Sequence, residues 1–135
     1  MSDHAGSCHC GAVTFTYRSD LPLTVRACQC SFCRKHGARS VSDPEGSVML
    51  RARGDVQAYR FGALTADYFV CGACGVYIGA VAEIAGASFA TLNLNSFDDP
   101  QPQLEATPVT YEGQDPEMKA GRRMNLWTPA RIIRD

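Results

Sequence analysis

A mainly β domain is what this sequence predicts, and three observations predict it. Short segments with β-branched and aromatic residues recur along the chain, several with alternating polarity. Gly, Pro, Asp and Asn separate them at close intervals. Helical patterns are few. With 135 residues, 45% of them hydrophobic, the chain has the length and apolar content of one core, so residues 1–135 read as one domain.

Taken in order, residues 12–17 (AVTFTY) alternate small or apolar with polar positions, and residues 23–25 (LTV) run straight into a cysteine group. Residues 47–50 (SVML), 56–61 (VQAYRF), 67–70 (DYFV) and 88–94 (SFATLNL) read as further short strands. The breaks between them fall at 18–20, 43–46, 54–55, 86 and 98–100. One helical turn is expected over 31–36 (SFCRKH), with Ser31 as its N-cap and Gly37 as its stop. A second short helix is expected over 116–123. Residues 100–108, which hold three of the seven prolines, read as an extended loop.

Charge and composition remove several classes of function. The formal net charge is −1 and the pI about 6.3, so nothing draws the chain toward nucleic acid or a membrane surface. No apolar run approaches the ~20 residues needed to span a bilayer. The N-terminal segment lacks the basic, apolar and small-residue sections of a signal peptide, and the expected location is cytoplasmic.

Seven cysteines are the chain's chemical signature. An odd count cannot pair fully into internal disulfides, and clustered reduced thiols usually mean metal. They fall into three groups: Cys8 and Cys10; Cys28, Cys30 and Cys33; Cys71 and Cys74. A C-x-x-C turn brings two thiolates onto one ion, and Gly75 directly after it suits the positive φ such a turn needs. A closed zinc site wants four ligands. Cys8 and Cys10 are the natural donors of the other two, since alternate residues of an extended segment share a face. Cys28, Cys30 and Cys33 then remain as three ligands within six residues. Three protein ligands and one exchangeable position is the catalytic zinc pattern. Two zinc ions per chain follow, one structural and one of catalytic type. Closure of the trio by a histidine, with His36 the nearest candidate beside His9 and His4, and an iron–sulfur cluster are the competing readings of the same three cysteines.

Residues 6–13 (GSCHCGAV), 28–35 (CQCSFCRK), 69–75 (FVCGACG) and 92–100 (LNLNSFDDP) resemble, in order and register, the glutathione-dependent formaldehyde-activating family, which shares a domain with the centromere protein V group. The resemblance covers roughly residues 6 to 100. It implies a β-rich, Mss4-like fold, a structural zinc on Cys8, Cys10, Cys71 and Cys74, and a catalytic-type zinc on Cys28, Cys30 and Cys33. It also implies carbon–sulfur lyase chemistry, the reversible joining of a small thiol such as glutathione to a small aldehyde.

Charge supports a sulfur substrate over water. Zinc with three thiolates carries a formal charge of −1 and is a weaker Lewis acid than zinc on three histidines. A soft thiolate is the better-matched fourth ligand. The resulting dianion needs cations, and Arg26, Arg34 and Lys35 bracket the trio; Arg34 and Lys35 are the candidates to hold substrate carboxylates. Phe32, Tyr68 and Phe69 are candidate pocket walls, with core packing the competing role for Phe69. No general acid or base is picked out by spacing. The competing functions are a non-catalytic zinc scaffold for protein interaction and a zinc or redox sensor working through the trio.

Overall fold

The computed structural model describes residues 2–135. Among them are eleven strands: β1 (Ser2–Ser7), β2 (Val13–Ser19), β3 (Arg26–Cys28), β4 (Ser40–Val41), β5 (Ser47–Ala52), β6 (Val56–Tyr59), β7 (Asp67–Cys71), β8 (Tyr77–Ile84), β9 (Ala87–Asn93), β10 (Thr107–Val109) and β11 (Thr128–Arg134). Two helices, α1 (Ser31–His36) and α2 (Pro116–Leu126), and one 3-10 turn (Leu94–Ser96) complete the described chain. The mainly β expectation holds. No helix among these residues is long and apolar enough to cross a membrane.

The strands join into one sheet whose path runs β1-β2-β5-β11-β9-β4-β3-β10, while β6, β7 and β8 continue from the other side of β9. Alternation builds the first half. Val13, Phe15 and Tyr17 of β2 and Val48, Leu50 and Ala52 of β5 are buried, and antiparallel pairing sets Phe15 opposite Leu50. In the second half β8 lies between β7 and β9, and its first six residues are buried. Both halves feed one core in which Leu50, Ile78, Leu92 and Leu94 are essentially inaccessible; each such side chain contributes about 1.5–3 kcal/mol of burial. β11 joins the halves: it starts antiparallel to β9 at Thr128 and Pro129, then runs parallel to β5 from Ala130 to Arg134.

Several local expectations need correction. The strand read at 23–25 begins instead at Arg26. The N-cap of α1 is Cys30, not Ser31, because the Cys30 sulfur accepts the Cys33 N–H. Gly37 does end that helix, in the left-handed region at φ 60. The stretch 100–108 is not all loop: its last residues enter β10, which pairs in parallel with β3. The second helix runs three residues further than expected, to Leu126.

Candidate metal centres and the cavity over the second

The first cysteine group sits in a turn after β1, not on an extended segment. Gly11 N–H donates to the Cys8 carbonyl at 3.2 Å, Cys8 N–H to the Val13 carbonyl at 3.0 Å, and Val13 N–H to the Cys8 sulfur at 3.3 Å. This tight loop, rather than strand periodicity, brings Cys8 and Cys10 together. The turn from β7 to β8 does the same for Cys71 and Cys74. Gly75 N–H bonds the Cys71 carbonyl at 2.8 Å, with Gly75 at φ +80 as its sequence position led one to expect. The four sulfurs lie within 4.8 Å of one another. Cys8 and Cys10 sulfurs are 3.7 Å apart, and Cys10 and Cys71 sulfurs 3.6 Å. Tetrahedral coordination at about 2.3 Å per bond separates sulfurs by roughly 3.8 Å, so the donor set fits one four-coordinate ion. Cys8 and Cys71 are also part of the main core, which ties this cluster to the fold. His9 is exposed and does not belong to it.

Cys28 at the end of β3, Cys30 at the helix cap and Cys33 inside α1 form the second cluster, again with sulfurs within 4.8 Å of one another. No histidine or carboxylate joins it among the described residues. His36 packs instead on the rings of Phe32 and Tyr77, at 4.5 and 5.4 Å between centroids, so the expected rival ligand is committed elsewhere. The three thiols cannot all ionise side by side without a cation. Cys28 and Cys33, with the N–H groups of Cys33 and Phe32, favour Cys30 as the ionised member. The Cys28 thiol is pushed up by Cys30, and the Cys33 thiol by Cys28 and Cys30.

A cavity of about 490 Å³ is lined by this trio. Arg34 also lines it, with Nε bonded to the Gln29 carbonyl at 3.0 Å. Lys35 is exposed and is not a lining residue. Arg26, expected only as a neighbouring charge, lines the cavity and donates to Ser42 Oγ at 2.7 Å, and Ser42 in turn donates to the Leu126 carbonyl at 2.7 Å. That relay docks the end of α2 against the strand of the trio. Tyr68 and Tyr77 line the cavity too. Burial pushes the Tyr68 phenol up to about 12 despite the opposing charge of Arg123, and burial raises Tyr77 as well. Both are therefore protonated donors at neutral pH. Phe69 is a core residue, 3% exposed, and Phe32 stacks on Tyr59 and Phe61 and meets Tyr68 and Tyr77 edge-on, without lining the cavity.

The opposite contribution comes from residues that spacing did not single out. β10 lies beside β3 with Val109 paired to Cys28. The chain then turns into α2, whose N-cap Asp115 accepts the Met118 N–H at 2.8 Å and whose first residue is Pro116. α2 sends Lys119, Arg122 and Arg123 to the cavity, and Trp127 follows. That is i, i+3, i+4, i+8, one face of a helix. Arg122 lies 3.6 Å over the Tyr111 ring and bonds Gln114 at 3.1 Å; Arg123 bonds Thr65 Oγ at 2.8 Å and lies 4.8 Å from the Trp127 ring. Both guanidiniums keep a buried Nε without a hydrogen-bond partner. An unsatisfied buried donor costs about 1–3 kcal/mol, more when charged. The only carboxylate among the cavity's lining residues is Glu112.

Known proteins resemble this chain in sequence and in fold. The family described as glutathione-dependent formaldehyde-activating enzyme matches residues 3–113. A crystal structure of a Rhodobacter sphaeroides protein, 28% identical, superposes with a TM-score of 0.56 over 78% of this chain and 99% of that one.

Proposed function

Because the chain belongs to the glutathione-dependent formaldehyde-activating family, we propose that it is a two-zinc carbon–sulfur lyase-type enzyme that forms or splits the adduct of a small thiol and a small aldehyde. One zinc is structural, on Cys8, Cys10, Cys71 and Cys74, and one is of catalytic type, on Cys28, Cys30 and Cys33. The observation that carries the proposal is the cavity of about 490 Å³ lined by three thiols and by Arg26, Arg34, Lys119, Arg122 and Arg123. Its size is in the range of small-molecule sites, and its cations suit a thiol that carries carboxylates, as glutathione does.

A zinc ion held by the trio would supply a soft coordination position that keeps a substrate thiol ionised. The chain's own groups do the rest. Arg34 offers a guanidinium to a substrate carboxylate. The protonated Tyr68 phenol, on the cavity wall, donates to the aldehyde oxygen as negative charge grows there. In the joining direction the thiol sulfur bonds the carbonyl carbon, the C=O π bond breaks, and the thiol proton ends on the oxygen. Splitting is the reverse. The mutually packed rings of Phe32, Phe61 and Tyr68 stiffen that wall.

Cobalt-loaded protein titrated with glutathione tests the proposal. The thiolate-to-cobalt absorption should grow with glutathione, and formaldehyde should then consume the thiol faster than in buffer. A wild-type spectrum unmoved by millimolar thiol would overturn the proposal and leave the scaffold and sensor readings.

A further inference from the structure

We infer that Arg122 and Arg123 of α2 form a carboxylate-binding subsite in the cavity of Cys28, Cys30 and Cys33, so that the site selects thiols bearing a carboxylate over neutral ones. This rests on reading the cavity as a thiol site.

Arg123 is 5% exposed, yet it has no carboxylate partner among the described residues, and its Nε is buried with nothing to donate to. Arg122 repeats the pattern beside it. The other groups around them explain why these nitrogens remain open. Thr65 takes one Nη of Arg123, Gln114 takes one Nη of Arg122, and Trp127 and Tyr111 lie against the two planes. Each guanidinium is thus fixed in orientation, with donor capacity left over. A guanidinium offers paired donors to the two oxygens of one carboxylate, and a fixed fork loses little further freedom on binding. Burial disfavours the charge on both residues, and an arriving anion restores what burial takes away. Both arginines lie after residue 113, outside the stretch that the family match covers.

S-methylglutathione, which has no free thiol, isolates the subsite. Its affinity for the zinc-loaded protein would be measured by calorimetry and compared with that of its dimethyl ester, for wild type, Arg122→Gln, Arg123→Gln and Arg123→Lys. The expected result is a loss of about tenfold or more for S-methylglutathione in each glutamine variant, a smaller loss in Arg123→Lys, and no change for the ester. Equal binding of S-methylglutathione by wild type and both glutamine variants, or no binding by wild type, overturns the inference. Should Arg123→Gln fail to fold, the partly exposed Arg122 carries the same test alone. Glutathione titration of the cobalt protein separates the two levels. A normal thiol response with unaltered glutathione affinity in the glutamine variants sinks the subsite and spares the proposed function. An arginine-dependent S-methylglutathione site without any thiol response does the reverse.

Discussion

Removing one sulfur from each cluster should damage the protein to different degrees, and the structure sets the difference. The first cluster joins residues 61 positions apart, Cys10 and Cys71. The second closes a segment only five positions long, from Cys28 to Cys33. If each metal cluster acts as a cross-link, chain-closure entropy assigns about 4 kcal/mol to the long loop and about 2 kcal/mol to the short one. Cys71 also belongs to the main core at 1% exposure, so Cys71→Ala adds about 1 kcal/mol of lost burial. The fair counterpart is Cys30→Ser, which removes a thiolate but keeps an oxygen to cap α1 through the Cys33 N–H. One kcal/mol moves the melting point by about 3–5 °C in a domain of this length. Zinc-loaded Cys71→Ala should therefore melt about 15–25 °C below wild type, or not fold, and Cys30→Ser only about 6–10 °C below. Differential scanning calorimetry with zinc in slight excess decides it. Equal losses in the two variants would refute the division into a structural and a functional cluster.

Metal removal should follow the same order: a graded chelator series, read by zinc release, takes one equivalent readily and the second only as the circular dichroism signal collapses. A single release step in parallel with unfolding would contradict that. Arg39 ties the loop after Pro100 to the body, donating to Asn95 Oδ1 at 2.8 Å and to the carbonyls of Pro100, Gln101 and Leu104 at 2.7, 3.1 and 3.3 Å. Arg39→Ala should cost about 1.5–3 kcal/mol by urea melt, with amide exchange quickening across residues 100–109; unchanged exchange there would show that the loop holds itself.

The cysteine partition was legible because ligand chemistry fixes how many sulfurs an ion takes, and seven cysteines in three groups leave little choice. Strands with one wet face, such as β2 and β5, were legible for a similar reason: their polarity alternates. β8 was not, since burial along its first six residues erases the alternation. β1 (SDHAGS) has no apolar side chain larger than that of Ala5, and its strand character comes from pairing with β2. The cap of α1 falls one residue earlier than expected because a hydroxyl is the usual cap, and here a thiol already turned toward the sulfur cluster takes the bond. The cationic wall was not legible because Lys119, Arg122 and Arg123 are far from the trio in sequence and reach it only through the placement of α2. The 119, 122, 123, 127 spacing in α2 was there to be read, but nothing in the sequence said that β10 would carry this helix back beside Cys28.

β11 has a consequence for the chain during its synthesis. All seven cysteines lie within the first 74 residues, whereas the strand that unites β5 with β9 spans residues 128–134. On a ribosome, both sulfur clusters can gather before β11 is there to pair β5 with β9. The edges of β5 and β9 that β11 will cover stay open to other chains until residues 128–134 have left the exit tunnel. Aggregation risk is therefore concentrated in the interval before β11 slots home.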